Sequence, residues 1–234
     1  MKTLISIFTI LVFSITYAQN ETTLTQNNNV LAAVAAFGPD GANIGMSSSI
    51  IFNPKKNIEG SVYLFKEWNN TAVFIANNEK KLLLKNINYN IERGLFESQI
   101  GKDSIFTFNF ISIKEVIINA RVFQSIKLPS MRKNKTFEIV YEGDNYSVLK
   151  EYYVSITEGS TNPLINRPSS KYVQRSNYYL KEGETISPFK LRKKSILKLV
   201  GDDSDKLEAH NKKYRLSYKK DFDVKKMLMY INSN

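Results

Sequence analysis

The chain has no cysteine, which excludes a disulfide scaffold, thiol catalysis and thiolate metal ligation together. It has one histidine, His210. Zinc takes three or four ligands from His, Cys and carboxylates, and a serine triad would have to route its proton through this single imidazole. No serine stands in a Gly-X-Ser-X-Gly elbow. His210 falls between Leu207 and Tyr214 at helical spacing and reads as a boundary residue on a packing face. The ten glycines are scattered and form neither Gly-X-X-X-X-Gly-Lys nor Gly-X-Gly-X-X-Gly, so no phosphate loop is expected. No cofactor is expected.

Long apolar runs are also missing. The longest, Leu4 to Ile15, is broken by Ser6, Thr9 and Ser14 and is shorter than the roughly 20 residues of a membrane span. With Lys2 before it and Thr16-Tyr17-Ala18 after it, the run has the form of a secretory signal cleaved near Ala18. No cysteine follows, so lipoprotein processing is not expected. Removing residues 1–18 leaves 216 residues and a net charge of +10, because Lys2 is the only charge lost. An exported, cysteine-free chain of this size points to a bacterial periplasmic or secreted protein that is held together by packing alone. The Asn-X-Ser/Thr triplets at Asn20, Asn69, Asn134 and Asn145 then read as chance matches in an asparagine-rich chain.

What is present is a globular composition, 42% hydrophobic and 24% charged. Gln19 to Asn29 is polar and reads as a leader. Val30 to Phe37 is apolar and fits strand or helix, Gly38-Pro39-Asp40-Gly41 is a turn, and Asn53 to Asn57 is a break. From Ser61 to about Leu180 short runs of Val, Ile, Phe and Tyr alternate with Asn, Gly, Asp and Lys, which is strand-and-turn punctuation.

Val62 to Trp68 and Ala72 to Ala76 flank Asn69-Asn70 as one expected hairpin, and Asn77-Asn78 leads into Lys81 to Leu84 as the next. Asn86 to Ile91, Leu95 to Ile100, Ile105 to Phe110 and Lys114 to Val122 continue the set. Phe137 to Glu142 returns through Gly143-Asp144-Asn145 into Tyr146 to Val154. The connections are too short for parallel crossovers, so the pairing is expected to be antiparallel. Ser155 to Ser170 reads as a long connector.

After Pro188 the pattern becomes helical: Lys193 to Val200 closed by Gly201, a second helix capped by Ser204 or Asp205, and a third with the stripe Val224, Met227, Leu228 and Ile231. The expected fold is therefore β-rich (α+β), an antiparallel β sandwich or open barrel with a small C-terminal helical appendage of two to three helices. The expected division is signal peptide 1–18, polar leader and irregular segment 19–50, antiparallel β domain 51–188 and basic helical appendage 189–234.

Other motifs carry less. Gly201-Asp202-Asp203-Ser204-Asp205 lacks the ligand alternation of an EF-hand and reads as an interhelical turn. Glu182-Gly183-Glu184 offers two carboxylates of the kind a polysaccharide hydrolase uses, but sits where a turn is expected. Trp68 and one member each of Tyr152-Tyr153 and Tyr178-Tyr179 could stack on a sugar, since adjacent strand residues face opposite sides.

The net charge of +11 is concentrated. From Lys190 to Asn234 there are 13 basic and six acidic residues. Lys193, Lys194, Lys212, Lys213, Lys219, Lys220, Lys225 and Lys226 form a series of basic pairs able to meet lipopolysaccharide phosphates or acidic glycans. The plain alternative is a solvated helix exterior. Lysines number 26 against seven arginines, which tells against bidentate phosphate or base recognition, and export makes nucleic acid an unexpected partner.

One resemblance adds to this. The run Asn53-Pro54-Lys55-Lys56-Asn57-Ile58-Glu59-Gly60-Ser61-Val62-Tyr63-Leu64-Phe65 with Trp68 resembles a set of uncharacterised exported proteins of Bacteroidota-type bacteria. So do Asn88-Tyr89-Asn90-Ile91, Phe137 to Gly143, Lys193-Lys194-Ser195-Ile196-Leu197 and Leu216-Ser217-Tyr218. The resemblance spans about residues 50–232, and Val62 departs from it where the set has proline. It implies export and a coherent fold, carries no assigned activity and implies no functional residues. The function expected is a non-enzymatic exported protein acting in binding or envelope structure, with anionic envelope components or another envelope protein as partner. The alternatives are an anionic-surface binder acting through the basic helices and a carboxylate-dependent polysaccharide hydrolase.

Overall fold

A computed structural model describes residues 50–51, 58–99, 104–108, 113–128, 134–160 and 169–233. The segments expected as signal peptide, leader, the strand or helix Val30 to Phe37, the Gly38 to Gly41 turn and the Asn53 to Asn57 break, and the middle of the expected Ser155 to Ser170 connector, lie outside the described residues. The strands are β1 (Ile50–Ile51), β2 (Ile58–Glu59), β3 (Thr71–Ala76), β4 (Lys81–Lys85), β5 (Ile87–Asn90), β6 (Leu95–Gln99) and β7 (Ser104–Thr107). Then follow β8 (Ile113–Ile118), β9 (Arg121–Lys127), β10 (Asn134–Glu142), β11 (Ser147–Thr157), β12 (Ser170–Glu182) and β13 (Thr185–Phe189). Helices α1 (Lys193–Val200), α2 (Ser204–Tyr214) and α3 (Asp221–Asn232) close the chain, with a single 3-10 turn, Gly201–Asp203, between the first two.

The expected fold class holds. A large open sheet runs β13-β12-β11-β10-β9-β8-β3-β4, and a small sheet runs β1-β7-β6-β5. The pairing of β2 with β12 is parallel, and the remaining pairings are antiparallel. Period-two alternation explains the packing: β3 turns Ala72, Phe74 and Ala76 inward and β4 turns Leu82 and Leu84 inward. They meet Ile87, Tyr89, Phe96 and Phe106 of the small sheet in one core. The Phe96 ring is central, with centroids 5.0 Å from Tyr89, 5.3 Å from Phe123 and 5.9 Å from Phe74. Burying each such side chain stabilises the fold by about 1.5–3 kcal/mol.

Two sequence expectations are corrected here. Val62 to Trp68 does not pair with β3, because both edges of β3 are taken, by β4 and by β8. It runs beside β5 instead: Leu64 N–H donates to the Tyr89 carbonyl and Ile91 N–H to the Val62 carbonyl. The side-chain amide of Asn88 accepts from the Phe65 N–H at 3.1 Å and donates to its carbonyl at 2.8 Å, doing the work of a ladder residue. Below it lies Glu97, 1% exposed, which accepts from the Tyr63 hydroxyl at 2.7 Å and from Arg93 at 2.5 Å.

The second correction is Lys114 to Val122, which is two strands rather than one. The chain turns at Asn119 and Ala120, both left-handed (φ 50° and 60°), as a two-residue hairpin with right-handed strand twist requires. Ala120 holds a conformation that glycine adopts without strain. Ala120→Gly is expected to raise stability by about 0.5 kcal/mol, read as a higher urea midpoint at unchanged slope.

Two further cores flank the large sheet. On one face Phe137 and Leu149 pack with Tyr179 and Leu128. On the other, Val140, Tyr141 and Val148 of the expected β10–β11 hairpin meet Ile196 of α1, Leu207 of α2 and Val224, Met227 and Leu228 of α3. The helical appendage is thus a packed layer on the sheet.

Candidate functional site

The first turn of α3 fixes the tail to the sheet. Asp221 accepts from the Tyr178 hydroxyl at 2.6 Å and pairs with Lys150 Nζ at 2.5 Å. Lys150 extends over the rings of Tyr152 and Tyr178, 4.9 and 5.6 Å from their centroids. Tyr152 in turn donates to Glu138 and accepts from Arg121 at 3.2 Å. Burial, then the neighbouring carboxylate, pushes the Tyr152 and Tyr178 hydroxyls well above the usual phenol range.

The Lys150 side chain is only 12% exposed, so removing its partner strands an ammonium in the interior. Asp221→Ala is expected to lose about 2–3 kcal/mol in urea unfolding. The double variant Lys150→Met with Asp221→Leu should recover part of that loss. Equal losses in both variants would show that the pair is not what holds α3.

This anchoring has an electrostatic result. Asp223 also faces inward, accepting from the Ser217 N–H at 3.0 Å. Glu208 pairs with Lys193 at 2.9 Å, and Asp203 lies 4.0 Å from Lys206. Lys194, Lys212, Lys213, Lys219, Lys220, Lys225 and Lys226 are all exposed. Among the described residues none of these seven forms a salt bridge. The acidic groups of α3 serve the interior while its lysines face water.

The outer side of α3 adds two apolar residues. Phe222, Lys226 and Met229 follow one another at helical spacing, with Phe222 67% and Met229 53% exposed. Lys226 Nζ lies 4.4 Å from the Phe222 ring centroid. Such a row of apolar and cationic side chains is suited to an anionic interface, where lysine meets phosphate and the apolar tip enters between headgroups.

Of the eight lysines, Lys193 and Lys212 are brought together, at a cavity of about 440 Å³ between α1, α2 and the loop that carries Leu216 and Tyr218. The buried side of α2 is Leu207 and Asn211, not Leu207, His210 and Tyr214. Asn211 is 5% exposed, and neither its amide oxygen nor its amide nitrogen has a hydrogen-bond partner among the described residues. An unpaired buried polar group costs about 1–3 kcal/mol, so this amide calls for an explanation.

A second concavity, about 480 Å³, lies where the large sheet forks. The β10–β11 ladder ends at Glu138 and Lys150; below that point β10 stays with β9 and β11 with β12. Lys135 and Glu151 pair across the gap, Tyr179 donates to Glu151 at 2.8 Å, and Thr136 donates to the Gly94 carbonyl at 2.9 Å. The cations here, Arg93 and Lys135, each have a carboxylate partner. Both cations of the fork are therefore already paired, and neither is left over to hold an anion.

The remaining sequence candidates fall in structural places. His210 stacks on Tyr230 at 3.8 Å, a boundary position as expected. Gly201 to Asp205 joins α1 to α2 and opens α2, with no side-chain cap from Asp203. Glu182 and Glu184 are exposed at the β12–β13 turn. Tyr152 and Tyr178 face the helix-bearing side of the sheet, Tyr179 faces the opposite core, and Trp68 packs edge-on against Tyr63. Among the described residues no group of three or more His, Cys, Asp or Glu could hold a metal, and no helix is long and apolar enough to cross a membrane. Comparison with protein-family models, curated proteins and solved structures finds no match.

Proposed function

We propose that this is an exported, non-enzymatic protein that binds an anionic envelope surface, lipopolysaccharide phosphates above all, through its C-terminal helices. The observation that carries the reading is the excess of unpaired charge on the tail: seven lysines of the three helices and their loops are exposed and outside any salt bridge among the described residues, and Phe222 and Met229 stand out on α3 with Lys226 between them. Charge supplies attraction at a distance, and the two apolar side chains supply contact. The signal-like N-terminus and the resemblance to exported bacterial proteins support a location where such a surface is met.

Flotation with vesicles tests this. The intact chain is expected to float with phosphatidylethanolamine vesicles carrying lipopolysaccharide or phosphatidylglycerol, and to be released as salt rises. Equal binding to purely zwitterionic vesicles, or no binding at low salt, overturns the proposal. Binding to a soluble acidic glycan but to no vesicle would move the partner from lipid to polysaccharide.

A further inference from the structure

The Asn211 amide is enclosed in the core that α2 faces and presents nothing to the cavity outside it. The fork of the large sheet is built differently. In an antiparallel ladder alternate residues turn their N–H and C=O to opposite neighbours. Past Glu138 and Lys150, alternate residues of β10 back to Asn134 and of β11 on to Thr157 therefore turn peptide groups into the gap, and among the described residues no backbone hydrogen bond crosses it. Peptide groups left without a ladder need another partner. We infer that the fork cavity is a binding site for a neutral saccharide of one or two rings, held between the two open strand edges and the side chains of Glu151 and Tyr153.

The walls are polar and fixed in place. Asn134, Lys135 and Thr136 of β10 and Glu151, Tyr152 and Tyr153 of β11 line the cavity from its two edges. The β5–β6 turn closes one side, held by the 2.9 Å bond from Thr136 to the Gly94 carbonyl. Glu151 is locked by Lys135 and by the Tyr179 hydroxyl at 2.8 Å, yet 9% of its side chain stays accessible. An ionised carboxylate accepts more than two hydrogen bonds, so Glu151 keeps capacity for the hydroxyls of a ligand.

Charge, donor pattern and shape select the class. Arg93 and Lys135 each face a carboxylate, so an anion finds no free cation among the described residues of the fork. A sugar hydroxyl is donor and acceptor at once, and it meets a peptide N–H or C=O without bringing charge into the gap. Tyr152 is engaged by Glu138 and Arg121, whereas Tyr153 is 37% exposed at the cavity wall and offers its ring to the apolar side of a pyranose. A volume of about 480 Å³ falls within the roughly 300–1,000 Å³ of small-molecule sites. The site uses none of the tail lysines and stands apart from the surface reading.

The test is calorimetric titration of the intact chain with cellobiose, maltose, lactose and N,N′-diacetylchitobiose, with glucuronate as the charged control. At least one neutral disaccharide should bind, with the same affinity at low and at high salt, and glucuronate should not. Tyr153→Ala, at an exposed position, should weaken that binding about tenfold. Glu151→Gln, which keeps the shape and an acceptor for Tyr179, should weaken it by a similar factor, and both variants should keep the parent circular dichroism spectrum. Absence of binding for all four disaccharides, or unchanged affinity in either variant, overturns the site. Binding of glucuronate alone, lost at high salt, also overturns it and assigns saccharide binding to the tail lysines. Vesicle flotation is expected to be the same in both variants, so failure of the fork site leaves the tail reading standing.

Discussion

Above pH about 10 the protein is expected to lose stability steeply and to unfold cooperatively before pH about 12. The cause is the burial of its tyrosines. Desolvation is the leading cause that raises Tyr63, Tyr89, Tyr152 and Tyr178 far above the ordinary phenol value, and Tyr179 is pushed up to about 12. Carboxylates reinforce the effect, Glu97 at Tyr63, Glu138 at Tyr152, Asp221 at Tyr178 and Glu151 at Tyr179.

A folded-state pKa above the unfolded one means that the folded protein holds the proton more tightly. The stabilisation is complete below pH about 10 and shrinks as pH rises, because only the unfolded chain can release those protons. Each locked hydroxyl removes about 1.4 kcal/mol per pH unit. Tyr63 and Tyr89, 6% and 2% exposed, together remove about 5 kcal/mol in two units, which approaches the whole stability of a typical domain. Tyrosinate absorbance should rise in a step that coincides with the loss of far-ultraviolet circular dichroism. A smooth rise with the dichroism intact would contradict the packing of both sheet cores.

The β10–β11 hairpin and the three helices are legible in the sequence, because the signals there are local. Phe137, Ile139 and Tyr141 alternate into a Gly-Asp-Asn turn, and Val224, Met227, Leu228 and Ile231 keep helical spacing. Val62 to Trp68 is not legible: the sequence cannot show that β3 already has two partners and that Asn88 receives the segment at β5. Asn119-Ala120 carries no glycine, so its hairpin is hidden inside an apparently continuous strand.

The lysines of the site are visible as charge. Phe222 and Met229 become noticeable only once the stripe of α3 is assigned, because they then fall on the side the fold does not need. Asn211 escapes because Leu207-His210-Tyr214 and Leu207-Asn211 fit helical spacing equally well. The fork gathers Arg93 of the β5–β6 turn with Lys135 of β10 and Glu151 of β11, which only topology reveals.

Replacing Lys193, Lys194, Lys212, Lys213, Lys219, Lys220, Lys225 and Lys226 together by glutamine is expected to abolish surface binding while leaving the fold in place. A lysine near an anionic surface contributes about 1 kcal/mol. Loss of only half of these contacts would weaken binding by about a thousandfold. Glutamine keeps helix propensity, and surface substitutions of this kind usually change stability by under about 0.5 kcal/mol each. Phe222→Ser with Met229→Ser should leave attraction at low salt but lower the part of the affinity that survives at physiological salt.

The central claim is that the tail is a cationic contact surface, and a salt titration of vesicle binding tests it most directly. The intact chain and the eight-lysine variant are compared on vesicles carrying lipopolysaccharide. The expected result is tight, salt-sensitive binding by the intact chain and none by the variant, with identical circular dichroism spectra. Equal binding by the two proteins at every salt concentration would contradict it.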